Sequence, residues 1–158
     1  MKLTQIVAPG AIIPRLTATT RDEAVAELID ALIAAGAAAA AQRDDLIKRV
    51  LDRERQASTG FGKGVAVPHI KHDGVGVMRA AIGLSERGID FASLDRQPVY
   101  SVFLLLSPAD RPDEHLKAMQ VIFASLSKDT FRKFLRQASN VEAVRTLLDE
   151  ADAHQFAG

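Results

Sequence analysis

A chain of 158 residues, 47% of them hydrophobic and 25% charged, is long enough to bury a core unaided and too apolar to stay disordered, so one domain over residues 1–158 is expected. Twenty Lys and Arg balance twenty Asp and Glu, and aromatics are only 5% of residues, which supplies neither the positive excess nor the stacking surface that nucleic acid requires. Cysteine is absent, so disulfides, thiolate metal sites and cysteine nucleophiles are excluded together.

Thr20, followed by Arg21-Asp22-Glu23 and then Ala24, Leu28, Ile29, Leu32 and Ile33, gives a cap, an acidic first turn and an apolar stripe at helical spacing. Gly36 stands where that helix can stop. The alanine-rich run Ala31–Ala41 is the most apolar part of the chain, yet far shorter than the ~20 residues of a membrane helix. No N-terminal segment looks like a signal peptide, so a cytoplasmic chain with no direct membrane insertion is expected. A second helix is expected from about Arg43 to Gln56, burying Leu46, Ile47, Val50 and Leu51. Ser58 to Gly64 carries glycines at alternate positions and reads as a loop whose amides can approach another group closely. Val65-Ala66-Val67 reads as a short strand that Pro68 halts, leaving His69 at its end.

His72-Asp73-Gly74 signals a turn. Strands are expected around Val77 to Leu84 and from Val99 to Leu106, and near-continuous apolarity marks the second as central. Pro108 closes it, and Pro112 opens a helix that puts Leu116, Met119, Ile122, Phe123 and Leu126 on one face. Shorter helices follow near Asp129–Arg136 and Val141–Glu150, the latter capped by Asn140. Helices before and after a block of strands predict an α/β fold, a central mixed β-sheet flanked by helices on both faces.

The glycine-rich segment fits neither common nucleotide pattern. A Walker loop needs Gly where Ala57 stands and Ser or Thr where Gly64 stands, and the dinucleotide pattern needs a third Gly at Val65. What the segment offers is donors around a histidine: Arg53, the hydroxyls of Ser58 and Thr59, the loop amides, and His69. That set suits phosphoryl transfer, in which catalysis is mostly positioning and stabilisation of charge on the transferred oxygens. An imidazole of unperturbed pKa ~6.5 is largely neutral near pH 7 and keeps one nitrogen lone pair for attack. A backbone carbonyl or a carboxylate would fix the proton on the other nitrogen. Such a transfer needs no metal and no cofactor.

Leu51-Asp52-Arg53-Glu54, followed by Ser58-Thr59-Gly60-Phe61-Gly62-Lys63-Gly64-Val65-Ala66-Val67-Pro68-His69, resembles the signature of the fructose/mannitol-type (type 2) enzyme IIA domains of the bacterial phosphotransferase system, including the nitrogen-regulatory branch. The resemblance runs from about Leu28 to Glu150 and takes in Phe91-x3-Asp95-x-Gln97-Pro98-Val99. It implies that His69 is phosphorylated, that Arg53 lies beside the phosphohistidine, and that Ser58 and Thr59 bind phosphate in the same pocket. It further implies a second site histidine, His115, at the start of the helix after Pro108-Ala109-Asp110-Arg111-Pro112-Asp113-Glu114. Phe61 stands where an aliphatic residue is usual.

The expected function is therefore a phosphoryl carrier that takes phosphate on His69 from an HPr-like or nitrogen-related phosphocarrier protein. The stand-alone length favours a regulatory, nitrogen-related role with regulatory target proteins as partners. The alternatives are a sugar-transport component that passes phosphate to enzyme IIB, or a regulatory binding module without transfer. A different class, a metal-dependent hydrolase built on His69, His72 and His115 with Asp73 or Glu114, is weaker, because His69-x2-His72 is expected in a loop and no helical His-Glu-x2-His is present.

Overall fold

The structure is a computed structural model and describes residues 1–154; the last four positions of the expected domain lie outside the described residues. The elements run α1 (Leu3–Ile6), β1 (Val7–Ile13), α2 (Arg21–Ala34), α3 (Arg43–Gln56), β2 (Gly60–Gly62), β3 (Val65–Ala66), β4 (His69–His72), β5 (Arg79–Ile89), β6 (Val99–Pro108), α4 (Pro112–Leu126), α5 (Asp129–Gln137) and α6 (Val141–Asp152). The strands form one sheet in the order β1-β5-β6-β3-β2, with β4 also paired to β6. β5 and β6 are antiparallel, whereas β1 joins β5, and β3 and β4 join β6, in parallel. The sheet is therefore mixed, as expected.

β6 is the centre of the molecule, and all its residues except Tyr100 are buried. Side chains alternate along a strand, so Val102, Leu104 and Leu106 face one layer while Phe103 and Leu105 face the other. The first layer is packed by Val25, Leu28, Ile29 and Leu32 of α2 and Leu46 and Val50 of α3. Met119, Ile122 and Leu126 of α4 pack the second, together with Phe131 and Leu135 of α5 and Val144, Leu147 and Leu148 of α6. Helices thus cover both faces. α2 starts at a capping box in which Thr20 accepts from the Glu23 N–H, and Asn140 accepts from the Ala143 N–H to start α6.

One strand lies where no element is expected, and several expectations are corrected. Val7-Ala8-Pro9-Gly10-Ala11-Ile12-Ile13 forms the edge strand β1; its Pro and Gly fall at the two exposed positions, where no second neighbour needs their backbone. Pro68 does not end the strand. β3 and β4 keep one register against β6, from Val65 opposite Ser101 to His72 opposite Pro108, and the Pro68 carbonyl accepts from the Leu105 N–H at 2.9 Å. Only the N–H that proline lacks is missing from the ladder. The glycine segment is a tight hairpin of β2 and β3, with Gly62, Lys63 and Gly64 at φ of 107°, 62° and 78°, a left-handed region where glycine is the least strained residue. In α4 the buried stripe is Ala118, Met119, Ile122 and Leu126. Leu116 and Phe123 stand outside it, exposed, and Phe123 packs on Phe61 with ring centroids 4.9 Å apart.

Candidate functional site

The register of β3 and β4 determines where His69 points. Val65 and Val67 pack in the layer beneath α4, whereas Ala66 and Ile70 pack in the α2–α3 layer. By alternation, His69 belongs with Val65 and Val67 and turns toward α4. There it meets His115 from the first turn of that helix, with ring centroids 5.5 Å apart. Among the described residues β4 has β6 as its only strand partner, and along its open side runs a groove of about 710 Å³. The wall across from the histidines comes from α3. Arg53, His69, Lys71 and His115 all line this groove.

The charges within it differ in how they are used. Lys48 pairs with Asp52 at 2.6 Å and Arg49 with Asp45 at 3.3 Å, so those four largely cancel. Arg53 donates to the Ala57 carbonyl at 2.9 Å. Among the described residues, neither Arg53 nor Lys71 has a carboxylate in ion-pair range. Two cations are left to face an incoming anion.

The His69 Nδ1 lies 2.7 Å from the Val67 carbonyl oxygen. A carbonyl can only accept, so Nδ1 carries the proton and Nε2 keeps its lone pair. Burial pushes the His69 pKa down; the Val67 carbonyl opposes this and the Arg53 charge adds to it. Burial and the Arg53 charge both favour the neutral ring, with a lone pair on Nε2 beside a guanidinium. His115 is pushed down further, to about 4, chiefly by burial and then by His69 and Lys71. Its Nδ1 lies 2.6 Å from the hydroxyl of Ser107, a fully buried residue of β6.

Ser58 and Thr59 lie close by but do not line the groove. The Ser58 hydroxyl donates to the Phe91 carbonyl at 2.5 Å. The Thr59 hydroxyl donates to the buried carboxylate of Glu54, which also accepts from the Thr59 N–H at 3.1 Å. To ligate phosphate, each hydroxyl would have to release its present acceptor. The Phe91–Val99 stretch holds the same loop from behind, since Asp95 accepts from the Lys63 and Gln97 amides and Gly60 accepts from the Leu94 N–H at 3.0 Å.

His72 sits elsewhere. Its Nε2 is 2.5 Å from Asp45 Oδ2 and its Nδ1 accepts from the Gly74 N–H, so both ring nitrogens are engaged in tying β4 to α3. No three His, Asp or Glu side chains are grouped to hold a metal ion among the described residues. A larger groove along Lys63, Tyr100, Arg132 and Arg136 contains no histidine. The sequence does not single out the Val67 carbonyl, Ser107, Lys71 or Glu54. The first is backbone and the second lies inside an apolar run; the other two look like ordinary surface charges.

A mixed sheet with helices on both faces, presenting two neutral histidines and uncompensated cations at one strand edge, defines a phosphoryl-handling α/β protein. The chain belongs to the family described as phosphoenolpyruvate-dependent sugar phosphotransferase system, EIIA 2, which matches residues 5–151; this is a family of phosphoryl carriers. It is 36% identical over 149 residues to a nitrogen regulatory protein of Bradyrhizobium diazoefficiens, covering 94% of this chain and 95% of that one. It is 30% identical over 152 residues to the fructose-specific EIIABC component of Bacillus subtilis, covering 96% of this chain but only 24% of that protein's length. Among solved structures, the nitrogen regulatory protein IIA-Ntr of Neisseria meningitidis superposes with a TM-score of 0.82 at 27% identity, covering 91% of this chain and 97% of that one. Escherichia coli enzyme IIA for mannitol, solved with phosphorylated enzyme IIB, shares the fold at a TM-score of 0.76 and 20% identity, over 89% and 94% of the two chains. No helix among the described residues is long and apolar enough to cross a membrane.

Proposed function

We propose that this protein is a protein-histidine phosphotransferase of the cytoplasm that accepts a phosphoryl group on Nε2 of His69 from an HPr-like or nitrogen-related phosphocarrier. The observation that carries this reading is the Val67 carbonyl on His69 Nδ1, which leaves Nε2 as the nitrogen with a free lone pair. In the transfer, the Nε2–P bond forms as the donor's P–N bond breaks, and the electron pair returns to the donor imidazole. Arg53 and Lys71 offset the charge on the transferred oxygens, and His115 hydrogen-bonds to it from the α4 side. Phosphate ligation by the Ser58 and Thr59 hydroxyls belongs to the same proposal. Two N–P bonds of similar kind exchange, so the step is reversible and needs no metal or cofactor.

The regulatory role is preferred over sugar transport because the nitrogen regulatory relative is matched at 36% identity across nearly its whole length. Phosphorylation adds roughly two negative charges beside Arg53 and Lys71, which changes what the groove surface can bind. Regulatory target proteins would then read the charge state. In the transport alternative, an enzyme IIB protein takes the phosphate. The test is incubation with phosphoenolpyruvate, enzyme I and a phosphocarrier. One acid-labile phosphoryl group that maps to His69 and is lost in His69→Ala supports the proposal. Full phosphorylation of His69→Ala overturns it.

A further inference from the structure

The two site histidines face hydrogen-bond partners of opposite kind. His69 Nδ1 meets a carbonyl, which only accepts. His115 Nδ1 meets the hydroxyl of Ser107 at 2.6 Å, which can donate or accept. Ser107 is fully buried on β6, and His115 is the only partner of its hydroxyl among the described residues. If His115 donated from Nδ1, the hydroxyl proton would be buried with no acceptor. If the hydroxyl donates to Nδ1, that proton is satisfied and only lone pairs go unused. Orphaned buried donors are rarer than under-used acceptors, so the second arrangement wins. The proton of His115 then resides on Nε2, the nitrogen that no protein group engages among the described residues.

We infer that Ser107 is a positioning residue that holds neutral His115 in the Nε2–H form, so that the histidine pair is set as lone-pair nucleophile (His69) and hydrogen-bond donor (His115) at the same groove. The depressed pKa of His115, about 4, keeps it from becoming doubly protonated near pH 7. His115 therefore meets the incoming phosphoryl group as an uncharged donor. The tautomer part stands on the unphosphorylated geometry alone, while the catalytic part rests on the carrier reading.

Nitrogen-15 NMR of the imidazole rings tests the tautomers directly in the unphosphorylated protein. The expected pattern is protonated Nδ1 at His69 and protonated Nε2 at His115. Ser107→Ala should move the unprotonated Nδ1 resonance of His115 to that of a nitrogen accepting no hydrogen bond and slow onward phosphoryl transfer by roughly fivefold or more, and Ser107→Thr, which keeps the hydroxyl, should restore both. An Nδ1–H signature at His115 in the wild-type protein overturns the inference without any variant having to fold. So does a His115 Nδ1 resonance that is unchanged in folded Ser107→Ala. A correct tautomer pattern in a protein that accepts no phosphate overturns the carrier reading and leaves the tautomer assignment standing.

Discussion

At His69, burial and the neighbouring guanidinium disfavour the imidazolium more than the Val67 carbonyl favours it. A protonated ring has no lone pair at Nε2, so that lone pair persists to lower pH than in a free histidine with its pKa of ~6.5. An NMR titration of the ring should give a midpoint below that value, and the rate of phosphate acceptance should stay flat as pH falls through it. A midpoint at or above it would show that the carbonyl, not burial, dominates. The same sign governs stability. His115 binds a proton less readily folded than unfolded, so between ~6.5 and about 4 the unfolded chain holds more protons and stability falls as pH falls. Its contribution is fully present above that window. In His115→Asn the urea midpoint should therefore change less between pH 7 and pH 5 than in the wild type. Arg53 contributes a planar fork, one arm of which is tied to the Ala57 carbonyl. Arg53→Lys keeps the charge but loses the fork, and should slow transfer about tenfold or more in a single-turnover assay.

At the scale of elements, the end of α3 and the glycine hairpin are joined by Glu54, whose buried carboxylate is held by the Thr59 hydroxyl and amide. Thr59→Val removes the hydroxyl while keeping the shape, and leaves that carboxylate short of a donor. Urea unfolding should show a loss of about 1–3 kcal/mol. If the variant still accepts phosphate at the wild-type rate, the role of Thr59 is to hold the loop; a lost phosphate affinity would assign its hydroxyl to the phosphoryl group. Which elements the sequence discloses follows from how local their causes are. Thr20, Pro112 and Asn140 act within one helical turn, so three helix starts are legible. β1 is not, because Pro9 and Gly10 break its pattern and only the parallel neighbour β5 makes it a strand. β4 is hidden for a related reason, since Pro68 reads as a stop until β6 supplies a ladder in unbroken register. The glycine spacing and the Pro68-His69 pair bring the eye to the site, and the family resemblance brings His115. The Val67 carbonyl and the Ser107 hydroxyl, which set the two tautomers, depend on contacts no sequence pattern carries.

On the scale of the whole molecule, one strand serves two cores. Leu104 and Leu105 are adjacent in β6 and both fully buried, yet they pack in opposite layers. The groove depends on the same arrangement, because Arg53 comes from α3 on one face and His115 from α4 on the other, with His69 between them at the sheet edge. Loosening either layer should therefore spread through β6 to the other and open the site with it. Leu104→Ala and Leu105→Ala should each cost about 2–5 kcal/mol. In both, probes on the α3 side and the α4 side should lose signal at one urea concentration, as expected for a single cooperative unit. Hydrogen exchange gives the sharper reading. If amides of α2 and α4 exchange with a common opening free energy in either variant, β6 couples the two layers. If Leu105→Ala lowers protection in α4 while α2 keeps its own, the layers open separately, and the groove loses its His115 wall while the Arg53 wall stays in place.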